Sequence, residues 1–317
     1  MSDSLVAPTA APARHLVSPS DLDLPLVESL LALASDMERQ GQSPAQAPLR
    51  GRIMASVFYE PSTRTRFSFE AAMLRLGGQV ISVESAATGS SAAKGESIED
   101  AVRIIGGYAD VIVLRHPEIG AAERAARVSP VPLVNAGDGA GHHPTQALLD
   151  LYTIKKECGR LDHLRIVMSG DLKFGRTARS LALLLARYPG NQLTLVSPDE
   201  LRLGEDVRHQ LHRTGVSIRD ERDLSAAAAG ADVLYQTRIQ RERFASVTEY
   251  DQVRSVSRVD AALMRRLPEH AIVMHPLPRL DEIDESVDSD PRAAYFRQAR
   301  NGLFVRMAVL YWLAMGT

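Results

Sequence analysis

Short apolar runs recur along this 317-residue chain at an interval that few architectures use. In the first half Arg52–Phe58, Gln79–Val83, Val111–Leu114 and Val131–Val134 read as strands, and in the second half so do Leu164–Met168, Gln192–Val196, Ala231–Tyr235 and Ala271–Met274. Helical patterns stand between most of them. Alternating β and α at this spacing means a parallel sheet covered on both faces. With 45% hydrophobic residues, a chain of this length buries a sizeable core and divides into two domains. The expected fold is therefore α/β, two domains, each a parallel sheet flanked by helices. They are linked by a bridging helix from about Thr145 to Lys156 and by an apolar C-terminal helix, Gly302 to Met315, packed back on the first domain. The expected limits are a disordered tail over 1–14, a first domain over 15–145 plus 301–317, and a second over 146–300.

A net charge of −2 supplies no general attraction to nucleic acid or to an anionic membrane, so any basic site has to be local. The most apolar segment, Leu303 to Met315, is interrupted by Arg306 and too short for a bilayer. A single cysteine, Cys158, excludes an internal disulfide and a thiolate metal site, which fits a reducing cytoplasm. No metal and no cofactor are expected.

Clustered arginines are the more informative for that near-neutral charge. Tyr59-Glu60-Pro61-Ser62-Thr63-Arg64-Thr65-Arg66 follows the first strand and reads as a helix start. Pro61 suits the entry, and the hydroxyls of Ser62 and Thr63 are expected to meet unpaired N–H groups there. Those N–H groups, the helix dipole and the fork of Arg64 together favour an anion such as phosphate. Two apolar stripes, Phe67/Ala71/Leu74 and Phe69/Met73/Leu76, carry the helix to Gly77-Gly78. Glu84 to Glu96 has no large apolar residue and is expected to be an exposed loop, before Ser97 and Asp100 open the next helix, Ile98 to Tyr108.

The strand at Val111–Leu114 ends on Arg115-His116-Pro117, and that at Val131–Val134 ends on Asn135-Ala136-Gly137-Asp138-Gly139. Ligands of open α/β sheets bind beyond the carboxyl ends of strands, so the endings after Phe58, Leu114 and Val134 argue for one site. His142-His143-Pro144-Thr145-Gln146 then opens the bridging helix. In the second half, Ser169 to Arg176 fails the dinucleotide fingerprint, because its glycines stand five apart, and Arg176 is placed to take a carboxylate or a phosphate. Thr237 to Ser257, with Arg238, Arg241 and Arg243, is long enough for a functional loop. His275-Pro276-Leu277-Pro278-Arg279 is a stiffened segment with carbonyls in fixed directions.

Taken in order, F-Y-E-P-S-T-R-T-R, K-G-E-S, R-H-P, N-A-G-D-G…H-P-T-Q, G-D-L-K-F-G-R-T, T-R-I-Q-R-E-R and H-P-L-P-R resemble the catalytic chains of the aspartate carbamoyltransferase family, from about His15 to the C-terminus. The resemblance implies carbamoyl phosphate plus L-aspartate giving N-carbamoyl-L-aspartate and phosphate, the committed step of pyrimidine synthesis. It makes the first domain the carbamoyl phosphate-binding one and the second the aspartate-binding one. It implies that Ser62, Thr63, Arg64 and Thr65 hold the phosphate, and that Arg115 bridges phosphate and carbamoyl oxygen. His143 and Thr65 then contact that oxygen, and Gln146 with the carbonyls of Leu277 and Pro278 suits the carbamoyl NH2. Arg176 takes the α-carboxylate of aspartate, and Arg238 with Gln240 the side-chain carboxylate.

The same resemblance implies a closed homotrimer in which Ser90, or Ser91 beside it, and Lys94 enter the site of the neighbouring subunit. No covalent intermediate is implied. The proton acceptor is the departing phosphate, with Lys94 as the rival. The resemblance leaves open regulatory or dihydroorotase-like companion chains. Two other readings are an ornithine carbamoyltransferase, which shares the phosphate half, and a non-catalytic carbamoyltransferase-like scaffold. Against the first, that family usually has H-C-L-P where this chain has His275-Pro276-Leu277-Pro278.

Overall fold

In the computed structural model the described residues are 14–41, 47–85, 95–239 and 258–315. Among them, β1 (Ile53–Phe58), β2 (Gln79–Glu84), β3 (Val111–His116) and β4 (Leu133–Asp138) form one parallel sheet in the order β2-β1-β3-β4. A second parallel sheet, in the order β7-β6-β5-β8-β9, contains β5 (Arg165–Ser169), β6 (Gln192–Val196), β7 (Ser217–Glu221), β8 (Val233–Gln236) and β9 (Ile272–Met274). The central strands are covered on both faces and so read as unbroken apolar runs, as in the fully buried Met54–Phe58 part of β1.

In each sheet the chain winds outward in one direction, returns, and winds the other way. The switch lies between β1 and β3 in the first sheet and between β5 and β8 in the second. The parallel register sets Phe58 opposite Arg115 and Ser169 opposite Gln236, so each switch point is flanked by functional-looking sequence at the carboxyl ends of its strands.

The helices are α1 (Leu24–Arg39), α2 (Thr63–Arg75), α3 (Ile98–Ile105), α4 (Ala121–Val128), α5 (Pro144–Cys158), α6 (Arg176–Leu185), α7 (Glu205–Thr214), α8 (Leu224–Ala228), α9 (Ala261–Met264) and α10 (Tyr295–Met315). Helix α5 leaves the first sheet through β4 and enters the second through β5, as the bridging expectation requires. Its residues from Pro144 to Ile154 are all buried. Helix α10 packs against α1, α2 and α5, and one continuous core runs from Leu30 and Phe69 through Leu148 and Leu310 to Leu181 and Met274. Burying a side chain such as Phe304, Met307 or Leu310 contributes roughly 1.5–3 kcal/mol. No helix among the described residues is long and apolar enough to cross a membrane.

Several boundaries differ from expectation. Strands β3 and β4 run on through Arg115-His116 and through Asn135 to Asp138, so these polar residues belong to the sheet rather than to loops. Helix α10 begins at Tyr295 instead of Gly302, because Tyr295, Gln298 and Asn301 turn inward and hold the first turns down. Helix α3 stops at Ile105, where Gly106 caps it, rather than running to Tyr108. Ser62 occupies the N-cap of α2 without a side-chain hydrogen bond to the first turn, so the expected capping role is not its role. Only the Phe69/Met73/Leu76 stripe of α2 is buried, while Phe67 and Leu74 are 56% and 60% exposed. Most of the tail and large parts of the 84–96 and 237–257 segments lie outside the described residues.

Candidate active site

The two switch points meet in one place, and a carboxylate marks it. Glu60 leaves the carboxyl end of β1, and its Oε1 lies 2.6 Å from Nη2 of Arg115 on β3 and 3.4 Å from Nη2 of Arg176 at the start of α6. One arginine comes from the first sheet, the other from the helix that follows the first strand of the second. Arg115 Nη1 also donates to the Ala136 carbonyl at 3.3 Å, and Arg176 Nη1 to the Gly139 carbonyl at 2.6 Å. Both guanidinium groups crowd Gly137. A Cβ there would stand 2.9 Å from Cζ of Arg176 and 3.2 Å from Nη1 of Arg115, and the glycine φ of +119° excludes ordinary side chains as well.

Burial and the neighbouring charge of Arg176 push the Arg115 guanidinium down to about 10, while Glu60 opposes the shift and Arg64 adds to it. Burial also lowers Arg64, which stands in the first turn of α2. Three cations therefore share a partly dry volume, an arrangement whose self-repulsion an anionic ligand relieves.

His143 sits at the N-cap of α5, buried, with its Nδ1 3.5 Å from the Thr145 hydroxyl. Burial first, then Arg176, Arg306 and Arg115, hold its imidazole well below the ordinary histidine range. The ring is thus neutral at pH 7. Its Nε2 is buried without a hydrogen-bond partner among the described residues, as is Nε of Arg115. Leaving such a group unpaired costs about 1–3 kcal/mol, and ligand-binding surfaces are where that cost is recovered.

The remaining expected residues sit on several elements. Thr65 is buried in the first turn of α2 beside Ser62 and Thr63. Gln146 is buried one turn into α5, and its amide donates to Asp150 at 2.9 Å. The segment after β9 carries a cis Leu277-Pro278 peptide with Leu277 at φ 54°. It is tied down by the Leu277 N–H on Nδ1 of His275 at 2.8 Å and by Nε2 of His275 on Glu282 at 2.9 Å. Arg64 acts electrostatically on His275, which brings this segment within reach of the α2 N-terminus. Arg238 lies just beyond β8, partly buried. Ser90, Ser91, Lys94 and Gln240 fall outside the described residues.

Some participants carried no signal of their own. Glu60 stood inside the motif, but an acid beside an anion site suggests no role until two arginines are seen to hold it. Arg306 read as a break in an apolar helix; it is buried, donates to the Ser68 hydroxyl at 2.6 Å, and lies 5.0 Å from the Phe69 ring centre. Among the described residues no cluster of His, Cys, Asp and Glu could hold a metal ion.

Comparison with known proteins places this geometry. Residues 14–156 match the model for the carbamoyl-P binding domain of aspartate/ornithine carbamoyltransferase, and residues 162–313 match that for its Asp/Orn binding domain. A chloroplastic aspartate carbamoyltransferase of Oryza sativa is 49% identical, with 99% of this chain and 89% of the relative covered. An aspartate carbamoyltransferase catalytic subunit of Methanothrix thermoacetophila is 50% identical, covering 94% and 97% respectively. Among solved structures, aspartate transcarbamoylase from Trypanosoma cruzi in complex with N-(phosphonacetyl)-L-aspartic acid superposes with a TM-score of 0.88 at 44% identity, covering 94% of this chain and 95% of that one. The catalytic subunit of the M. jannaschii enzyme gives 0.87 at 45% identity, with 96% and 100% covered.

Proposed function

Since the chain belongs to the aspartate/ornithine carbamoyltransferase family, we propose that it transfers the carbamoyl group of carbamoyl phosphate to the amine of L-aspartate, a step of pyrimidine synthesis. The observation that carries this reading is Glu60, a carboxylate seated between Arg115 of the first sheet and Arg176 of α6, the helix behind the second. Arginines drawn from both halves of the chain suit two anionic substrates that must meet at a seam. Relatives named for aspartate, at about half identity over nearly the whole chain, favour aspartate over ornithine as acceptor.

In the proposed reaction the phosphate sits on the N-terminus of α2, held by Ser62, Thr63, Arg64 and Thr65, with Arg115 reaching phosphate and carbamoyl oxygen. The amine nitrogen attacks the carbamoyl carbon. A C–N bond forms, and the carbonyl π electrons move to oxygen. Neutral His143 meets that charge if Thr145 donates to Nδ1, which leaves a proton on Nε2 facing the oxygen. Collapse breaks the bond from carbon to the bridging oxygen, and the departing phosphate removes the amine proton. No nucleophile of the protein is needed, because holding two reactants in line supplies effective molarities on the order of 10⁵ M. Arg176 and Arg238, with Gln240, would hold the two carboxylates of aspartate.

The proposed assembly is a cytoplasmic homotrimer with Ser90 and Lys94 contributed across the interface. It is supported by the apolar side chains that α2, β2 and α3 leave in solvent, namely Phe67, Leu74, Ile81 and Ile104. Assay of the purified protein with carbamoyl phosphate and either amino acid tests the function. Carbamoyl-aspartate is the expected product. Turnover of ornithine without aspartate would overturn the reading, and binding of carbamoyl phosphate with no turnover would leave a non-catalytic scaffold.

A further inference from the structure

A buried acid takes no part in the reaction above. Asp150 lies on α5 one turn after Gln146, fully buried, and among the described residues no cation is hydrogen-bonded to it. Three neutral donors converge on its carboxylate. Gln146 Nε2 donates to Oδ1 at 2.9 Å, Gln298 Nε2 on α10 donates to Oδ1 at 2.7 Å, and the Tyr235 hydroxyl on β8 donates to Oδ2 at 2.8 Å. Burial pushes the carboxyl up to about 7 against these donors and the charge of Arg306, so keeping an acid here is costly. An apolar residue would join the three elements more cheaply if joining them were its whole task.

The geometry of the two glutamines suggests another task. An ionised carboxylate only accepts, so each amide must give its NH2 to Asp150 and turn its carbonyl oxygen the other way. Gln298 directs that oxygen to the backbone N–H of His275 at 2.9 Å, and His275 in turn holds the Leu277 N–H. For Gln146, the amide that gives its NH2 to Asp150 turns its carbonyl oxygen away from that carboxylate. The two acceptor sets assigned to the carbamoyl NH2, the Gln146 oxygen and the carbonyls of Leu277 and Pro278, thus both hang from one buried carboxylate.

We propose that Asp150 is the positioning residue through which this site reads the NH2 group of its phosphate substrate, fixing Gln146 directly and the 275–278 segment through Gln298. This rests on the carbamoyl transfer proposed above. A site built to accept hydrogen bonds rejects a methyl isostere, because its buried acceptors are then left unpaired.

The test uses two stable phosphonates that differ only at that group, phosphonoacetamide with NH2 and acetonylphosphonate with CH3, with dissociation constants measured by calorimetry at pH 8. The native protein is expected to prefer the amide by about 10- to 100-fold, the worth of one or two satisfied acceptors. Asp150→Asn can donate as well as accept and so frees Gln146 to flip. It should cut that preference at least tenfold, on the order of one hydrogen bond, with ketone affinity nearly unchanged. Equal weakening of both ligands would mean a structural tie only and would overturn the proposal. Tyr235→Phe removes one donor and keeps the shape, and should lower the preference by about threefold, a fraction of one hydrogen bond. An unchanged preference in that variant overturns the proposal even where Asp150→Asn fails to fold. If the native protein binds both phosphonates equally, recognition of the NH2 falls while carbamoyl transfer stands. If it binds neither, both readings fall.

Discussion

Replacing Gly137 by alanine separates stability from catalysis in this protein. The new Cβ would lie 2.9 Å from Cζ of Arg176 and 3.2 Å from Nη1 of Arg115, several tenths of an ångström inside ordinary contact. Both obstacles are the far ends of flexible side chains, so they can move aside at little cost to the fold. The backbone cannot, and holding alanine at φ +119° costs about 1–3 kcal/mol. The displaced groups are the two arginines proposed to hold the two substrates, and a misplacement near 1 Å costs on the order of 10²-fold in rate. Gly137→Ala should therefore remain folded, lose about 1–3 kcal/mol in urea unfolding, and lose about two orders of magnitude in kcat/KM for carbamoyl phosphate and aspartate together. Loss confined to one substrate would detach the other substrate's arginine from its assigned role. Turnover within twofold of native would refute the view that the two guanidinium groups depend on a glycine floor.

Four further outcomes follow from the site and the acid behind it. Arg64→Ala should abolish measurable turnover while the melting curve stays native, since two charge-assisted contacts to phosphate are worth about 3–6 kcal/mol; mixing it with inactive Lys94→Ala chains should restore some activity in hybrid trimers, and no rescue in well-mixed hybrids would refute shared sites. His143, held below the ordinary histidine range, stays neutral as pH falls through 6.5, so kcat/KM should show no acid limb there that vanishes in His143→Gln. Asp150, raised to about 7, binds its proton more tightly folded than unfolded, so its contribution is full below about 4 and is lost as pH rises through about 7; unfolding free energy should fall by up to about 4 kcal/mol across that window, with the slope absent in Asp150→Asn.

The central strands were legible because burial on both faces writes them as unbroken apolar runs, and the parallel arrangement followed from the helices between them. Strand β7 was not legible. It is an edge strand, Ser-Ile-Arg-Asp-Glu, with more exposed than buried positions, and its assignment comes from pairing with β6 rather than from composition. The first turns of α10 were hidden for the opposite reason, because Gln298 and Asn301 are polar yet buried, and only their partners Asp150 and Thr153 explain them. Within the site, the arginines at strand ends could be named from sequence because their side chains speak for their chemistry. Gly137, Glu60 and Asp150 could not, since each acts through what it touches: a floor for two guanidinium groups, an internal counter-ion, an anchor for an amide.

The path of α10 bears on how the chain comes to be folded at all. The first sheet is complete by Asp138, yet the apolar faces of α1 and α2 close on a helix made from residues 295–315. Until residues 295–315 have been made, Leu30, Phe69 and Met73 lack part of the core they pack into. The usual order, in which an N-terminal unit folds first and alone, is unavailable to this topology. A chain stopped before Tyr295 would leave α1, α2 and α5 without the helix that covers their apolar faces.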